Sequence, residues 1–380
     1  MMETTTRKVE GIGRCRFGLN TQLADIQTRM QVHIPKLDKV CFALYDAREH
    51  LLRSYADSSS LSLSLTHYEA PLSSLPYLKK SIESRSPAVL NDVSRLHPSP
   101  HVNSLIEEGY YSSVAIPTFL EQIFRGFIFL NSHQKDAFCP SDIEVVKPYL
   151  RILETAIFSE YQLVTALIDK SNKLVARSQV YQKESFSHKQ RVSTYTNIIA
   201  LALADDYGFD DEFVEHLTLF SQYHDMGKVM VPPELLCKQQ PLTWEETDTL
   251  RKHIIYGEEI VNQFINDLNA SDHLSAQLMR DVVSYHYEFL DGSGYPHHLS
   301  GNAIPISAKI VCVANIFDAL TTHKPYKQAW SVPYALLELE KMVCDGKLDA
   351  DCVNALRDHQ HQLKSIIQRY PERDPLEGLY

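Results

Sequence analysis

The sequence predicts an α+β chain of two domains, a mixed α/β half followed by an all-helical half. Three observations carry that expectation. The chain has 380 residues, more than one compact domain usually holds. Short apolar and aromatic runs bounded by turn residues, the mark of strands, fall before about residue 159. From Pro140 onward apolar residues instead recur at steps of three and four, the mark of helices. We therefore expect one domain over residues 11–159 and a second over 160–380.

In the first half, Ile34–Tyr45 ends in the apolar run Val-Cys-Phe-Ala-Leu-Tyr, which predicts a strand. His50–Ala56 returns as its hairpin partner across Asp46–Glu49. A second pair is Ser113–Pro117 with Ile123–Asn131, the latter rich in Phe and Ile, with Gly126 inside it. Between the pairs, Ser74–Ser84 predicts a helix with Pro76 in its first turn, where a missing N–H costs nothing, and Ala88–Asn91 predicts a short strand. Serine-rich Ser58–Ser64 reads as a loop. A long connecting helix follows, with Ile143, Val146, Leu150, Leu153, Ile157, Tyr161, Val164 and Ile168 on its stripe and Pro148 near its start. Such a helix either pairs with its copy in a homodimer or packs against its own chain.

Composition narrows the function. The formal charge is -11 and no basic stripe is present, so duplex nucleic acid is not expected as a partner, while a small anionic substrate in a locally positive pocket is compatible. The seven cysteines are odd in number and show no C-x-x-C spacing, which fits a reducing compartment. No apolar run approaches bilayer length, so we expect no membrane partner and a cytoplasmic location.

The chemistry lies in the helical half. Glu184 and His188 stand four apart on one helical face, whose apolar stripe continues through Val192, Tyr195 and Ile199. Phe213, Leu217 and Phe220 form a stripe that runs on to His224, next to Asp225. After the break at Pro232-Pro233, Thr243-Trp-Glu-Glu246 is a capping box for a new helix, and His253 lies on that helix with Leu250 and Ile260 near its face. Leu278, Val282 and His286 recur at four-residue steps. Any one of these histidines alone reads most simply as a core imidazole bonded to a backbone carbonyl. Histidines on inward stripes of separate segments, with a carboxylate among them, point instead to a metal, since buried charge must be paired or coordinated.

His224-Asp225 with Gly227-Lys228, followed by Asp291-Gly-Ser-Gly-Tyr-Pro296, resembles the HD-GYP family of cyclic dinucleotide phosphodiesterases. The resemblance continues through Leu299-Ser-Gly301, Ile304-Pro305, Phe317-Asp-Ala-Leu320, Pro325-Tyr326 and Gly346-Lys-Leu-Asp349, so it covers about His188 to Leu356. The order of hairpin, helix, short strand and hairpin in the first half resembles a GAF-type sensor domain, a fold used to hold small ligands or to pair subunits.

The family resemblance implies an HD-type helical bundle holding two divalent ions, iron or manganese ahead of zinc, and a third where Glu184 adds a ligand. One ion would take His188, His224, Asp225 and Asn315. The other would take Asp225 as a bridge with His253, His286 and Tyr287. Asp225 and Lys228 would be the catalytic pair, with Lys228 on the scissile phosphate and Lys324 and Lys327 on other phosphate oxygens. Tyr295 would either stack on a substrate base or close its loop by packing. The implied reaction opens c-di-GMP or 3'3'-cGAMP to a linear dinucleotide.

The chain departs from the family pattern in having Tyr287 in place of the second of two paired histidines and Asn315 in place of aspartate. Lys309 and Lys324 stand where arginine is common, exchanging a planar fork for a point charge. These departures sustain an alternative from another class, a degenerate module that binds a cyclic dinucleotide or a signalling protein without hydrolysis.

Overall fold

The computed structural model describes residues 18–47, 49–58, 69–96, 100–177, 186–238, 240–323 and 328–372. It divides into two compact units, one running to Gln162 and taking in Asp210–Glu212, the other made of Leu163–Phe209 and Phe213 onward.

The first unit is built on an antiparallel sheet. After helix α1 (Leu19–Gln31) come β1 (Lys39–Asp46), β2 (Leu51–Asp57), β3 (Glu69–Pro71), α2 (Pro76–Ser84), β4 (Ala88–Leu90), α3 (Pro100–Glu107), β5 (Ser112–Leu120) and β6 (Ile123–Ser132). Their order in the sheet is β3-β2-β1-β6-β5-β4. Strand alternation divides the side chains between two faces. Val40, Phe42, Val114, Ile116, Ile128 and Leu130 pack with Leu23 and Met30 of α1, and with Val146, Leu150 and Leu153 of the long helix α4 (Pro140–Ala176). The opposite residues, Ala115, Phe127 and Phe129, pack with Leu75 and with Leu78 of α2. Both expected hairpins form, and α4 buries Ile143, Val146, Leu150, Leu153 and Ile157 of its stripe with its own sheet, while Val164 and Leu167 belong to the core of the helical unit. Gly126 meets its requirement for close approach, because a side chain there would run into the Ala43 carbonyl.

On the α2 side an open pocket is lined by Leu52, Leu75, Leu78 and Phe129, with Lys39 also in its wall. The Lys39 side chain is fully buried, its ammonium 3.2 Å from Asp57 and 3.6 Å from Glu108.

The second unit is helical throughout its described residues. Its helices are α5 (Phe186–Tyr207), α6 (Asp211–Ser221), α7 (Pro233–Leu236), α8 (Trp244–Arg251), α9 (His253–Asp267), α10 (Leu274–Tyr285), α11 (Ile306–Thr321), α12 (Val332–Cys344), α13 (Ala350–Asp358) and α14 (Gln360–Arg369). Helix α11 is apolar almost all round and buried along most of its length, as the central helix of a bundle must be. The expected capping box opens α8: Glu246 N–H donates to Thr243 Oγ1 at 3.3 Å, and Thr243 N–H donates to Glu246 Oε2 at 2.8 Å. Among the described residues no helix is long and apolar enough to cross a membrane.

Candidate metal centre

His224 and Asp225 lie in the turn just past the end of α6, followed by a 3-10 helix over Met226–Met230. Glycine sets their position. A Cβ on Gly227 would run into the His253 carbonyl and the Gly257 backbone, and one on Gly257 would strike Val283 of α10. Bare backbone at both positions lets the turn, α9 and α10 approach closely enough for their ligands to meet.

Three imidazoles are oriented the same way. Nδ1 of His224 bonds the Ser221 carbonyl at 2.8 Å, Nδ1 of His253 that of Leu250 at 2.6 Å, and Nδ1 of His286 that of Val282 at 2.8 Å. A carbonyl only accepts, so each Nδ1 carries a proton and the neutral ring keeps its lone pair on Nε2. Those Nε2 atoms converge on Asp225. The distances are 3.2 Å from His224 to Oδ2, and 2.9 and 3.5 Å from His253 and His286 to Oδ1. All three Nε2 atoms and Asp225 Oδ1 are enclosed without an aligned hydrogen-bond partner. Each such group costs about 1–3 kcal/mol, so their convergence fits a cation, which would satisfy them together.

His188 on α5 completes a second triad. His188, His224 and Asp225 bring ligand atoms within 4.8 Å of one another, as do Asp225, His253 and His286. The two groups share Asp225, which suits a carboxylate bridging two cations. Nδ1 of His188 is held at 2.7 Å by Asp318 Oδ2, and Arg191 grips that carboxylate through two bonds of 2.6 and 3.0 Å. A carboxylate behind an imidazole fixes its tautomer and raises its basicity toward a metal. Neither Asp318 nor Arg191 was expected as part of the site. The available signal was Arg191 three residues after His188, on the same helical face, together with the buried acid in Phe317-Asp-Ala-Leu320.

Electrostatics follow the geometry. Burial would raise the Asp225 carboxyl, but the Lys228 ammonium, 2.6 Å from Oδ2, and His224 hold it well below the usual range. Burial pushes His286 down to about 4, which keeps it neutral and able to ligate at neutral pH. Burial opposes protonation of His224 too, yet Asp225 outweighs it and draws that pKa up. Asp318 stays below the ordinary range against the cost of burial because His188 and Arg191 bond it.

The loop after His286 lies back over the site. Buried Glu288 accepts the N–H groups of His297 at 2.7 Å and Leu299 at 3.0 Å, and Tyr295 N–H donates to the Tyr287 carbonyl at 3.1 Å. A Cβ on Gly294 would collide with the Tyr287–Phe289 backbone. The Tyr287 ring packs 4.7 Å from His286 and 5.8 Å from His253, and stacks on Tyr295 at 5.0 Å and 19°. Arg251 lies 4.8 Å over the Tyr295 ring. Tyr295 thus packs on a ring next to the candidate ligands, a contact that the packing role would use.

The remaining expected residues are placed as follows. Asn315 is buried on α11, three residues before Asp318 and on the same face. Lys309 pairs with Asp349 at 3.4 Å. Glu184, Lys324 and Lys327 lie outside the described residues.

Residues 164–352 match the HD domain family. The chain is 36% identical over 173 residues to the cyclic di-GMP phosphodiesterase response regulator RpfG of Xanthomonas campestris pv. campestris, covering 45% of this chain and 43% of that protein. It is 34% identical over 203 residues to the 3'3'-cGAMP-specific phosphodiesterase 2 of Vibrio cholerae, covering 53% and 36%. The chain thus spans less than half the length of these two curated relatives. A solved GAF domain/HD domain protein from Geobacter sulfurreducens aligns with 37% of this chain and 91% of that chain, at 12% identity and a TM-score of 0.30.

Proposed function

We propose that this chain, whose residues 164–352 match the HD domain family, is a metal-dependent phosphodiesterase that opens c-di-GMP or 3'3'-cGAMP to a linear dinucleotide. The observation that carries this reading is the convergence of unpartnered His224, His253 and His286 Nε2 atoms on Asp225. The similarity to named cyclic dinucleotide phosphodiesterases supports the substrate class.

His188, His224 and Asp225 would hold one divalent ion, and Asp225, His253 and His286 a second, with Asn315 and Tyr287 as further ligands and Glu184 serving a third. Mixed imidazole and carboxylate donors suit iron or manganese, and also zinc. Such ions supply a Lewis acid and a water made acidic enough to attack at neutral pH. The chain's own residues do the rest. Lys228 is held against Asp225 and can exchange that oxygen for one of a scissile phosphate, bringing positive charge where negative charge develops. Lys324 and Lys327 would serve the remaining phosphate oxygens. Asp318 and Arg191 keep His188 oriented. The loop over 289–300 closes the flank of His286 and limits water there.

We assign the first unit a sensor role, supported by its open cavity with a buried Lys39. The cysteines among the described residues are unpaired, which supports a cytoplasmic setting.

The test is to purify without chelators, measure bound iron, manganese and zinc, and follow both dinucleotides by chromatography. Bound metal with a linear product, lost in His224→Ala and Asp225→Ala, is expected; undiminished hydrolysis by either variant would overturn the assignment. A second reading, a binding module without turnover, is favoured by Tyr287 and Asn315 standing where the resemblance implies stronger ligands. Metal-free protein that binds either dinucleotide and leaves it intact would establish it.

A further inference from the structure

Arg251 is the last residue of α8, two positions before His253. It is exposed, and among the described residues it has no carboxylate partner; its neighbour Lys252 is the one that pairs with Asp248, at 3.5 Å. Its guanidinium instead lies 4.8 Å over the Tyr295 ring. Tyr295 stacks in turn on Tyr287, which packs against His286 and His253. Arg251 therefore stands two rings out from the metal centre, on a column anchored by the centre's own ligands.

That column determines what the side chain can do. A flexible exposed arginine loses much rotamer freedom on binding, whereas one held over an aromatic ring is already partly positioned. With no carboxylate on it among the described residues, the guanidinium keeps N–H groups that can bind as a planar fork. Lys228 already supplies a cation at the reacting phosphate. A cyclic dinucleotide with one phosphodiester at the centre must extend its bases away from it. A planar fork matches two acceptors side by side, as guanine presents with O6 and N7. It mismatches adenine, which offers a donor beside N7.

We propose that Arg251, held by Tyr295, reads a guanine of the substrate through its O6 and N7 edge. Both c-di-GMP and 3'3'-cGAMP satisfy such a reader, since each contains a guanine; c-di-AMP does not. The inference rests on the cyclic dinucleotide reading of the site, and it makes Arg251 a specificity residue remote from bond cleavage.

The test compares kcat and KM of the full chain for c-di-GMP, 3'3'-cGAMP and c-di-AMP, in wild type, Arg251→Ala and Arg251→Lys. Wild type should prefer the guanine-containing substrates. Arg251→Ala should raise KM for them by roughly 10- to 100-fold with kcat little changed, and shrink the preference over c-di-AMP by the same factor. Arg251→Lys keeps donors that guanine O6 and N7 can accept but not the planar fork, so it should retain only part of the preference. Equal losses on all three substrates would show a phosphate contact and overturn the inference, as would wild-type discrimination in Arg251→Lys. Should wild type turn over none of them, the hydrolase reading fails, and the same ratios are then read from calorimetric affinities. A guanine preference that vanishes in Arg251→Ala would still support Arg251 as the reader, and one that persists there would reject it.

Discussion

The His188 imidazole and the Asp318 carboxylate meet at 2.7 Å across α5 and α11, and Arg191, one turn along α5 from His188, clamps the same carboxylate. The pair links a side chain that faces the proposed ions to a buried ionic knot that faces the bundle core. Arg191 also reaches the Tyr370 carbonyl at 2.7 Å and Glu372 at 2.6 Å, so the knot ties α5 and α11 to the segment after α14.

Asp318→Asn should separate the two roles of that carboxylate. It keeps the shape but removes the charge, so Arg191 loses a buried partner and His188 its fixed tautomer. We expect a stability loss on the order of 3 kcal/mol and a 10- to 100-fold weaker metal affinity. Urea unfolding in chelator and metal titration of the folded variant measure the two separately. Unchanged metal affinity would confine Asp318 to the core.

Gly227→Ala should disturb the centre without altering a ligand. The added methyl meets backbone of α9 rather than a flexible side chain, so the turn carrying Asp225 must move. A cost of about 1–3 kcal/mol is expected, with bound metal sharply reduced. Full metal content in this variant would mean that the close approach does not position Asp225.

The periodic parts of the chain were legible. The run over Val40–Tyr45 and the capping box at Thr243 are local signals, and each formed as read, whereas His253 opens a separate helix, α9, instead of continuing the capped one. His224 was placed on the stripe of α6, yet it sits in the turn beyond Ser221, because the last turns of a helix and the residues after it share one apolar pattern. Asp318 and Arg191 were not legible as partners, because their meeting depends on how α5 packs on α11, 127 residues apart in sequence. The close approach at Gly227 and Gly257 was hidden for the same reason: a glycine shows that space is short but not which element occupies it.

Asn315→Asp should act oppositely with and without metal. A carboxylate added at this buried position lacks compensation in chelator, so the melting temperature should fall. If Asn315 faces an ion, saturating manganese should bind more tightly and more than restore it, since ligand binding stabilises the folded state by mass action. Thermal melts at several manganese concentrations decide this. A fall in melting temperature that metal does not reverse would remove Asn315 from the ligand set.

Asp281 on α10 should make the protein less stable as pH rises through the mildly acidic range. Burial pushes its carboxyl up to about 6, against a Ser307 hydroxyl that bonds it at 3.2 Å and favours the charged form. In the unfolded chain the value is about 3.9, so between these limits the folded state holds a proton that the unfolded state has released. Stability therefore falls as pH climbs from about 4 to 6, and above 6 the fold carries a partly buried carboxylate at a cost on the order of 2 kcal/mol. Asp281→Asn keeps an acceptor for Ser307 and removes the titration. In urea unfolding with chelator present it should be more stable than wild type by about 1–2 kcal/mol near pH 7.5, and close to equal near pH 4.5. Because Asp281 lies outside the proposed ligand set, metal content should not change. A stability difference that stays constant over this range would mean that the Asp281 carboxyl titrates as it does in water.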